Sequence, residues 1–564
     1  MPTPSLIRDR RARTRALVLI GLLKLSVVVA IVAAAYRNSW ITVAALAVTA
    51  GVELLTPHLS PFAIGAMRRV NAGRPARSAL QLVPVAMLAA TTLSHSLFVA
   101  TAAVGAGIVG LALGAEAGRV VVTRVRRLPL VTRNIDLGDF DVPAPPPALA
   151  MDPRGLDALA VLVAAVGVAL ARDSSNQAAY VVSALVLAAL ITAAPVVALA
   201  WQLLALYRAK LRTHLTEAAT TAIEALAPEV VLYYAATPEE TYQVRMWLEP
   251  LAKLNRRVVL VLRSQAVFDA LSDVSLPVIC SPYNGTIASL PLPTRVAALF
   301  VTHSGNNLSM IRRPESRTAF IGHGDSDKPD SVNPFARVYD EIWVAGPLGR
   351  RRYVQANIGI REAAIIEIGR PQITAPIAPP PDPPVVVYAP TWEGWGDDPH
   401  HSSLGNIGVE LIERLLAVDG ITVRYRAHPL TGRRDRALRA AHQRILQLVG
   451  QVPPHEPLTE TFNRSTGLVG DVSSVINEYL PFDRPYAVVD TRGLGHDEFT
   501  RRFPSTAGGF VLGPDLDGLD EFVAALRGGT DSSRTRRREL LRDTLGDPAT
   551  SQQRFADAIT GLLG

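Results

Sequence analysis

The sequence predicts an α-helical membrane domain followed by an α/β portion built as two Rossmann-like domains facing across a cleft. Three observations carry this reading. Apolar segments crowd residues 1–204, short β-branched runs alternate with helical stretches from about residue 226, and a proline-dense break from Pro376 to Pro384 divides the second portion. At 564 residues the chain is too long for one hydrophobic core. The apolar fraction of 49% and mean hydropathy of +0.21 are high for a wholly soluble protein, and the excess lies at the N-terminal end.

Six apolar segments are read there, at about 16–36, 40–55, 78–93, 96–115, 155–171 and 180–204. A span needs about 20 residues, so the second, third and fifth are short. Lys24, Pro84 and Pro195 interrupt the pattern, and Lys24 is expected to face another helix or an interface. Arginines cluster on alternate connections: Arg8 to Arg15 before the first segment, Arg68, Arg69, Arg74 and Arg77 after the second, and Arg119 to Arg133 after the fourth. Arg208, Lys210 and Arg212 follow the sixth, and the other connections carry only Arg37 and Arg172. The positive-inside rule then places both termini and everything after residue 205 in the cytoplasm of a multi-pass protein. No small-residue cleavage site follows the first segment, so a removed signal peptide is not expected.

The net charge of +7 sits beside hydrophobic segments, not along a groove-reading helix, which points to membrane lipids and away from nucleic acid. A proline-rich connector lies near 134–154, with Pro143, Pro145, Pro146 and Pro147 stiffening it. A juxtamembrane helix or linker is expected over 205–225. The lone cysteine, Cys280, cannot form an internal disulfide and reads as a small core residue.

Val230-Val-Leu-Tyr-Tyr, Val258-Val-Leu-Val-Leu, Val278-Ile and Ala298-Leu-Phe-Val read as buried parallel strands with helical crossovers between them. They define a first α/β domain, 226–375. A second, 380–564, has strands at Val385-Val-Val-Tyr, Ile421-Thr-Val-Arg-Tyr, Gly467-Leu-Val-Gly and Tyr486-Ala-Val-Val-Asp, and helices near 407–417, 434–448, 473–481 and 517–527. Ligands of such folds bind beyond the carboxyl ends of the strands, so the candidate residues are sought in loops that follow strands.

Four loops qualify. Gly322-His-Gly-Asp-Ser-Asp-Lys328 packs a histidine, two carboxylates and a lysine into one turn, and Lys328 is one of only four lysines, with Lys24, Lys210 and Lys253. His323 can act as a general base near neutral pH and Lys328 can neutralise phosphate oxygens. The bare Asp325-Ser326-Asp327 run also matches a divalent-metal pattern, and the bland alternative is an ordinary polar turn.

Tyr388-Ala-Pro-Thr-Trp-Glu-Gly-Trp offers the Thr391 hydroxyl and backbone N–H. Trp392 and Trp395 are candidates for plain loop packing, and Asp397, Asp398, His400 and His401 read as a solvated loop more than as a metal cluster. Arg426-Ala-His-Pro places His428 where it donates to a phosphate or simply makes a turn. Asp471-Val-Ser-Ser-Val-Ile-Asn-Glu478 passes from strand to helix, where Ser473 and Ser474 offer donors to a phosphate or cap the helix. Glu478, one turn further, can reach ribose hydroxyls or remain a surface glutamate.

Taken in this order, the four loops and the following Asp483-Arg-Pro resemble the CDP-glycerol glycerophosphotransferase family of teichoic acid priming and polymerisation. Tyr339-Asp-Glu-Ile-Trp-Val-Ala-Gly346 and Ile368-Gly-Arg370-Pro371 are similar to its connecting segments. The resemblance implies a glycosyltransferase-B-like fold, with acceptor binding in the first domain and CDP-donor binding in the second. Glycerol phosphate, or a related polyol phosphate, would pass from a CDP-activated donor to a lipid-linked or polymer acceptor, with CMP released. No cofactor or metal is required, although a divalent metal is possible.

By the same resemblance His323 is the base, and His428, Ser473 and Ser474 hold the diphosphate. Asp325 and Lys328 are further catalytic candidates, Thr391, Asp471 and Glu478 further donor-binding candidates, and Ser326, Asp327, Arg370, Trp392 and Asn477 additional site candidates. Family members carry Trp-His-Gly-Thr-Pro-Leu-Lys at the first motif, where this chain has Gly-His-Gly-Asp-Ser-Asp-Lys. Six predicted spans replace peripheral attachment, which implies a lipid or membrane-embedded acceptor. A glycosyltransferase with a nucleotide-sugar donor and a non-catalytic membrane scaffold are the competing readings.

Overall fold

The computed structural model describes residues 10–60, 63, 67, 73–140, 142–328, 331–373, 378–394, 402–453 and 456–564. Arg8, Arg68, Arg69, Pro376, Trp395, Asp397, Asp398, His400 and His401 lie outside the described residues. The chain folds as two compact units, residues 1–128 with 139–215, and residues 129–138 with 216–564.

Six long helices form the first unit, at Arg10–Ala35, Ser39–Leu59, Arg74–Thr92, His95–Arg126, Arg154–Ala171 and Gln177–Ala209. Each apolar segment of the sequence becomes one of them, lengthened where caps fix the ends. Asn38 Oδ1 accepts from Ile41 N and Asn176 Oδ1 from Ala179 N. Among the described residues, four helical stretches are long and apolar enough to cross a membrane: Thr14–Ala35, Ser39–Thr56, His95–Arg126 and the run from Gln177. The other two of the expected six do not reach that standard alone. Gly155–Ala171 is shorter, and Arg74–Thr92 opens on Arg74, Arg77, Ser78 and Gln81. Lys24 lies on an exposed face.

The unit's core is built from small residues, including Ala30, Ala34, Ala89, Ala160, Ala164 and Ala188. Such small residues let helices approach closely. At Gly167 a Cβ would lie 2.2 Å from the Ala184 Cβ, so only glycine fits there.

A buried ion-pair network joins four of the helices. Arg74 donates to Asp157 from Nε at 2.9 Å and Nη2 at 2.6 Å, and also reaches Glu116 at 3.4 Å. Arg77 and Gln81 both bond Glu53, at 2.8 and 3.0 Å.

The second unit holds two sheets. The first runs β1 (Val131–Arg133), β2 (Val230–Tyr234), β3 (Val258–Leu262), β4 (Val278–Cys280), β5 (Val296–Phe300), β6 (Ser316–Phe320), β7 (Glu341–Val344) and β8 (Ile365–Glu367), in spatial order β1-β4-β3-β2-β5-β6-β7-β8. Every pairing is parallel except β1 with β4. The second has β9 (Val385–Ala389), β10 (Thr422–Tyr425), β11 (Gly467–Gly470), β12 (Tyr486–Val489) and β13 (Phe510–Leu512), all parallel, in order β10-β9-β11-β12-β13. The central strands β2, β3 and β5 are wholly buried because helices cover both faces.

Two features depart from the expected domain limits. Residues 129–138 leave the proline-rich connector to add β1 to the first sheet, where Arg133 and Asn134 bond carbonyls of 268–276. The last helix, Ser551–Leu563, belongs by sequence to the second lobe but packs Phe555, Ile559 and Leu562 into the core of the first sheet. Its apolar face fits no surface of its own sheet, which β13 and Leu519–Leu526 already close. Cys280 is buried in β4, and burial pushes its thiol up to about 11.

Removing one partner of a buried pair leaves an uncompensated charge. Asp157→Ala is therefore expected to destabilise the first unit by about 3 kcal/mol, read as a fall in the thermal midpoint of the detergent-solubilised protein.

Candidate active site

Each sheet reverses its winding at one point: between β2 and β5 in the first, between β9 and β11 in the second. Loops leaving the carboxyl ends of strands beside such a point diverge and leave a crevice. The candidate residues follow β6, β9, β10 and β11, and the two crevices are brought together, since side chains from both lobes touch across them.

Gly322 enters the first loop at φ +60, a left-handed conformation natural to glycine, and its carbonyl accepts the Trp247 indole N–H at 2.8 Å. Gly324 lies against the other lobe, where a Cβ would stand 2.8 Å from Ser474 Oγ. Between them His323 is exposed to solvent. Desolvation by the surrounding protein lowers its pKa, with the Arg370 charge acting in the same direction. Its Nδ1 faces the Val301 carbonyl at 3.4 Å, and its Nε2 faces Gln243 Nε2 at 3.5 Å. A carbonyl can only accept, so Nδ1 carries the proton and Nε2 presents a lone pair. Long bonds of this kind are usual at unliganded sites.

The carboxylates of this loop serve another purpose than the one expected. Asp325 pairs with Arg352, which also donates to the Ser326 carbonyl at 2.6 Å and lies 3.5 Å from Asp327. Asp327 Oδ2 accepts from the backbone N and the hydroxyl of Ser505, at 2.7 and 2.5 Å, tying the loop to the second lobe. Ser326 bonds Ser331 at 2.8 Å. Asp325 and Asp327 thus brace the loop, and among the described residues no three His, Cys, Asp or Glu side chains converge on a metal-binding arrangement.

Lys328 Nζ reaches across the lobes to Thr391 Oγ1 at 2.8 Å. Thr391 is held in turn by Asp471, whose Oδ2 accepts the Thr391 N–H at 2.8 Å and whose Oδ1 accepts the Ser403 N–H at 3.1 Å. Asp471 is fully buried, and burial raises its pKa to about 6 against the pull of those bonds and of Lys328.

His428 stacks on Trp392, with centroids 5.7 Å apart and planes 11° from parallel, so Trp392 is a wall of the site and not loop filler. Its Nδ1 accepts the Leu430 N–H at 3.2 Å, which leaves the proton on Nε2, 3.2 Å from Tyr242 Oη. Burial, reinforced by the Lys328 and His323 charges, holds this imidazole neutral with a pKa of about 3.

Ser473 adopts extended backbone (φ −159, ψ 167) before the six-residue helix Ser474–Tyr479 and makes no side-chain cap bond. Its Oγ is buried and hydrogen-bonded to nothing in the protein, so the capping alternative is not realised. Asn477 Nδ2 donates to the Asp325 carbonyl at 2.7 Å, a second tie between lobes. Glu478 is buried and bonded to Arg370 at 2.5 Å, so it is not a surface glutamate. Arg484 of the Asp-Arg-Pro segment bonds the carbonyls of Phe462 and Ala378 at 2.8 Å and so braces the lobe.

Sequence reasoning missed Tyr242, Gln243, Arg352, Ser505 and His303. Tyr242 and Gln243 open the helix Tyr242–Ala252 after β2, beside the first crevice, and only the strand order would have singled them out. His303 follows β5 and stacks on Phe320 at 3.9 Å, with burial holding its pKa at about 4. Glu393, quoted but not chosen, accepts the backbone N–H groups of Gly432, Arg434 and Asp435 and fixes the loop after His428.

Arg370→Ala should cost about 3–5 kcal/mol by leaving Glu478 buried and unpaired, whereas Arg370→Met with Glu478→Leu should come within about 1 kcal/mol of wild type. Chemical denaturation of both variants checks this.

Residues 363–504 match the family described as CDP-glycerol:poly(glycerophosphate) glycerophosphotransferase. The match takes in Arg370, Thr391, His428, Asp471, Ser473, Ser474 and Glu478 and begins after the His323 loop. No curated protein matches the sequence. Among solved structures, the chain is similar to the wall teichoic acid polymerase TagF at 15% identity, over 64% of this chain and 95% of that one, with a TM-score of 0.41. An S. aureus MnaA–UDP complex is similar at 12% identity over 59% and 96%, with a TM-score of 0.40. The UDP-GlcNAc 2-epimerase from Neisseria meningitidis bound to UDP-GlcNAc is similar at 11% over 59% and 99%, with a TM-score of 0.38. The family match over residues 363–504 bears on three of the four loops, not on the His323 loop, and the enzyme class it supports is a transferase of the CDP-glycerol glycerophosphotransferase type.

Proposed function

We propose that the chain is a membrane-anchored transferase that moves glycerol phosphate, or a related polyol phosphate, from a CDP-activated donor to a lipid-linked or cell-envelope polymer acceptor on the cytoplasmic side. One observation carries it: two neutral imidazoles from opposite lobes meet at one site in opposite tautomers, the second inside the segment that matches the family. His323 Nε2 offers a lone pair to an acceptor hydroxyl, and His428 Nε2–H offers a hydrogen bond to a phosphate oxygen.

In the proposed step the acceptor oxygen bonds the donor's β-phosphorus as its proton passes to His323 Nε2. The bond from that phosphorus to the oxygen bridging the two phosphates breaks, and CMP leaves with the electron pair. Lys328, the His428 Nε2–H and the Ser473 hydroxyl stabilise charge that grows on the departing phosphate. Ser474 and Thr391 line the same crevice. The reaction so written runs without a metal or cofactor, and turnover is expected to survive chelation.

His323→Ala should abolish transfer from CDP-glycerol while the protein stays folded; near-normal turnover would remove His323 from the mechanism. His428→Ala should raise the donor KM roughly 10- to 100-fold, the worth of a hydrogen bond to a charged group. Because the His323 pKa is lowered, the neutral base persists to more acid pH than free histidine. The acid limb of kcat/KM should therefore fall below the usual histidine range, and a limb above it would contradict the assignment. Assays with UDP- and GDP-sugars in place of CDP-glycerol test the glycosyltransferase alternative.

A further inference from the structure

Tyr242 and Gln243 are adjacent in sequence and open one helix, yet they point to different lobes' histidines. Tyr242 Oη lies 3.2 Å from His428 Nε2, and Gln243 Nε2 lies 3.5 Å from His323 Nε2 and 3.3 Å from Tyr242 Oη. The Tyr242 ring meets both imidazoles edge-on, with centroids at 6.2 Å from His323 and 5.4 Å from His428. Gln243 is almost wholly buried, so its amide is held and cannot swing freely into solvent.

Hydrogen-bond bookkeeping fixes each proton. His323 Nδ1–H faces a carbonyl, so its Nε2 needs a donor, and the Gln243 amide N–H supplies one. His428 Nδ1 receives a backbone N–H, so its Nε2–H needs an acceptor, and Tyr242 Oη supplies one. The pair therefore gives each ring the partner that its reactive tautomer requires.

We propose that Tyr242 and Gln243 are a positioning pair that holds His323 and His428 in opposite tautomers before substrates bind. This rests on the reading of those histidines given above. The acceptor hydroxyl takes the place of the Gln243 N–H on His323, and a donor phosphate oxygen takes the place of Tyr242 Oη on His428. Gln243 Oε1 on the same amide is buried without a partner in the protein. The other groups facing His323 are Glu240, Arg370, His303 and His428, and they stay constant when position 243 is changed.

The test uses the full-length protein in detergent. Carbethoxylation of His323 by diethyl pyrocarbonate, which needs a neutral ring, is followed against pH by peptide mass spectrometry. Gln243→Glu places a carboxylate beside Nε2 and should raise the midpoint by about one pH unit or more; an unchanged midpoint in folded protein overturns the proposal. Should that variant fail to fold, Tyr242→Phe decides. It should raise the KM for CDP-glycerol three- to tenfold with kcat within twofold, and a fall confined to kcat, or no change, overturns the pair. A wild-type protein inert toward CDP-glycerol would overturn the proposed function, and the His323 midpoint in Gln243→Glu would still decide for or against the pair.

Discussion

The bond from Lys328 Nζ to Thr391 Oγ1 is the contact on which the site's geometry depends, because it joins the base-bearing loop of one lobe to the donor loop of the other. Its strength comes from Asp471 beneath it. A carboxylate at the end of a wholly buried strand is expensive to ionise, and the raised pKa of about 6 records that cost. Near neutral pH it is nonetheless charged, stabilised by the N–H groups of Thr391 and Ser403 and by Lys328. Fixing the Thr391 backbone aims its hydroxyl at the lysine, so one buried charge orders a lysine from the other sheet.

Around that tie the first motif's two carboxylates act as braces. In a loop reading His-Gly-Asp-Ser-Asp-Lys, Asp325 and Asp327 look like ligand or metal groups until Arg352 and Ser505 are seen beside them. The carbonyl of Asp325, held by Asn477, adds a third contact. A loop with a glycine on each side of its histidine would wander without such restraints. Asp327 and the Asp325 carbonyl thus tie this loop to the second lobe.

How much of this was legible in sequence follows from the range of the interactions. Strands β2, β3, β9 and β11 were readable because a strand buried on both faces must be a short run of apolar residues, and the loops after them announced the histidines and serines. β1 was not, since Val-Thr-Arg carries no such run and pairs only because β4 leaves an open edge. The last helix looked like part of its own lobe because its pattern shows an apolar face but not which sheet receives it. Arg352 and Ser505 escaped notice for the same reason: each is an ordinary residue made significant by a partner 25 or 178 positions away. The pairing of Glu478 with Arg370 was not legible either, because a carboxylate near a ligand and one paired with a buried arginine look alike in sequence.

Desolvation is the leading cause that lowers the pKa of both histidines, with the Arg370 charge adding to it at His323 and the Lys328 charge at His428. Keeping both imidazoles neutral avoids adding to the positive charge of Lys328 and Arg370 and leaves the rings to bond by direction, one accepting and one donating. In the proposed step, proton transfer to His323 would create a further positive charge beside Lys328 only as negative charge develops on the departing phosphate. On that proposal the site is poorly suited to a charged imidazole at rest and well suited to one during the reaction, an asymmetry of the kind that lowers a barrier instead of merely tightening binding.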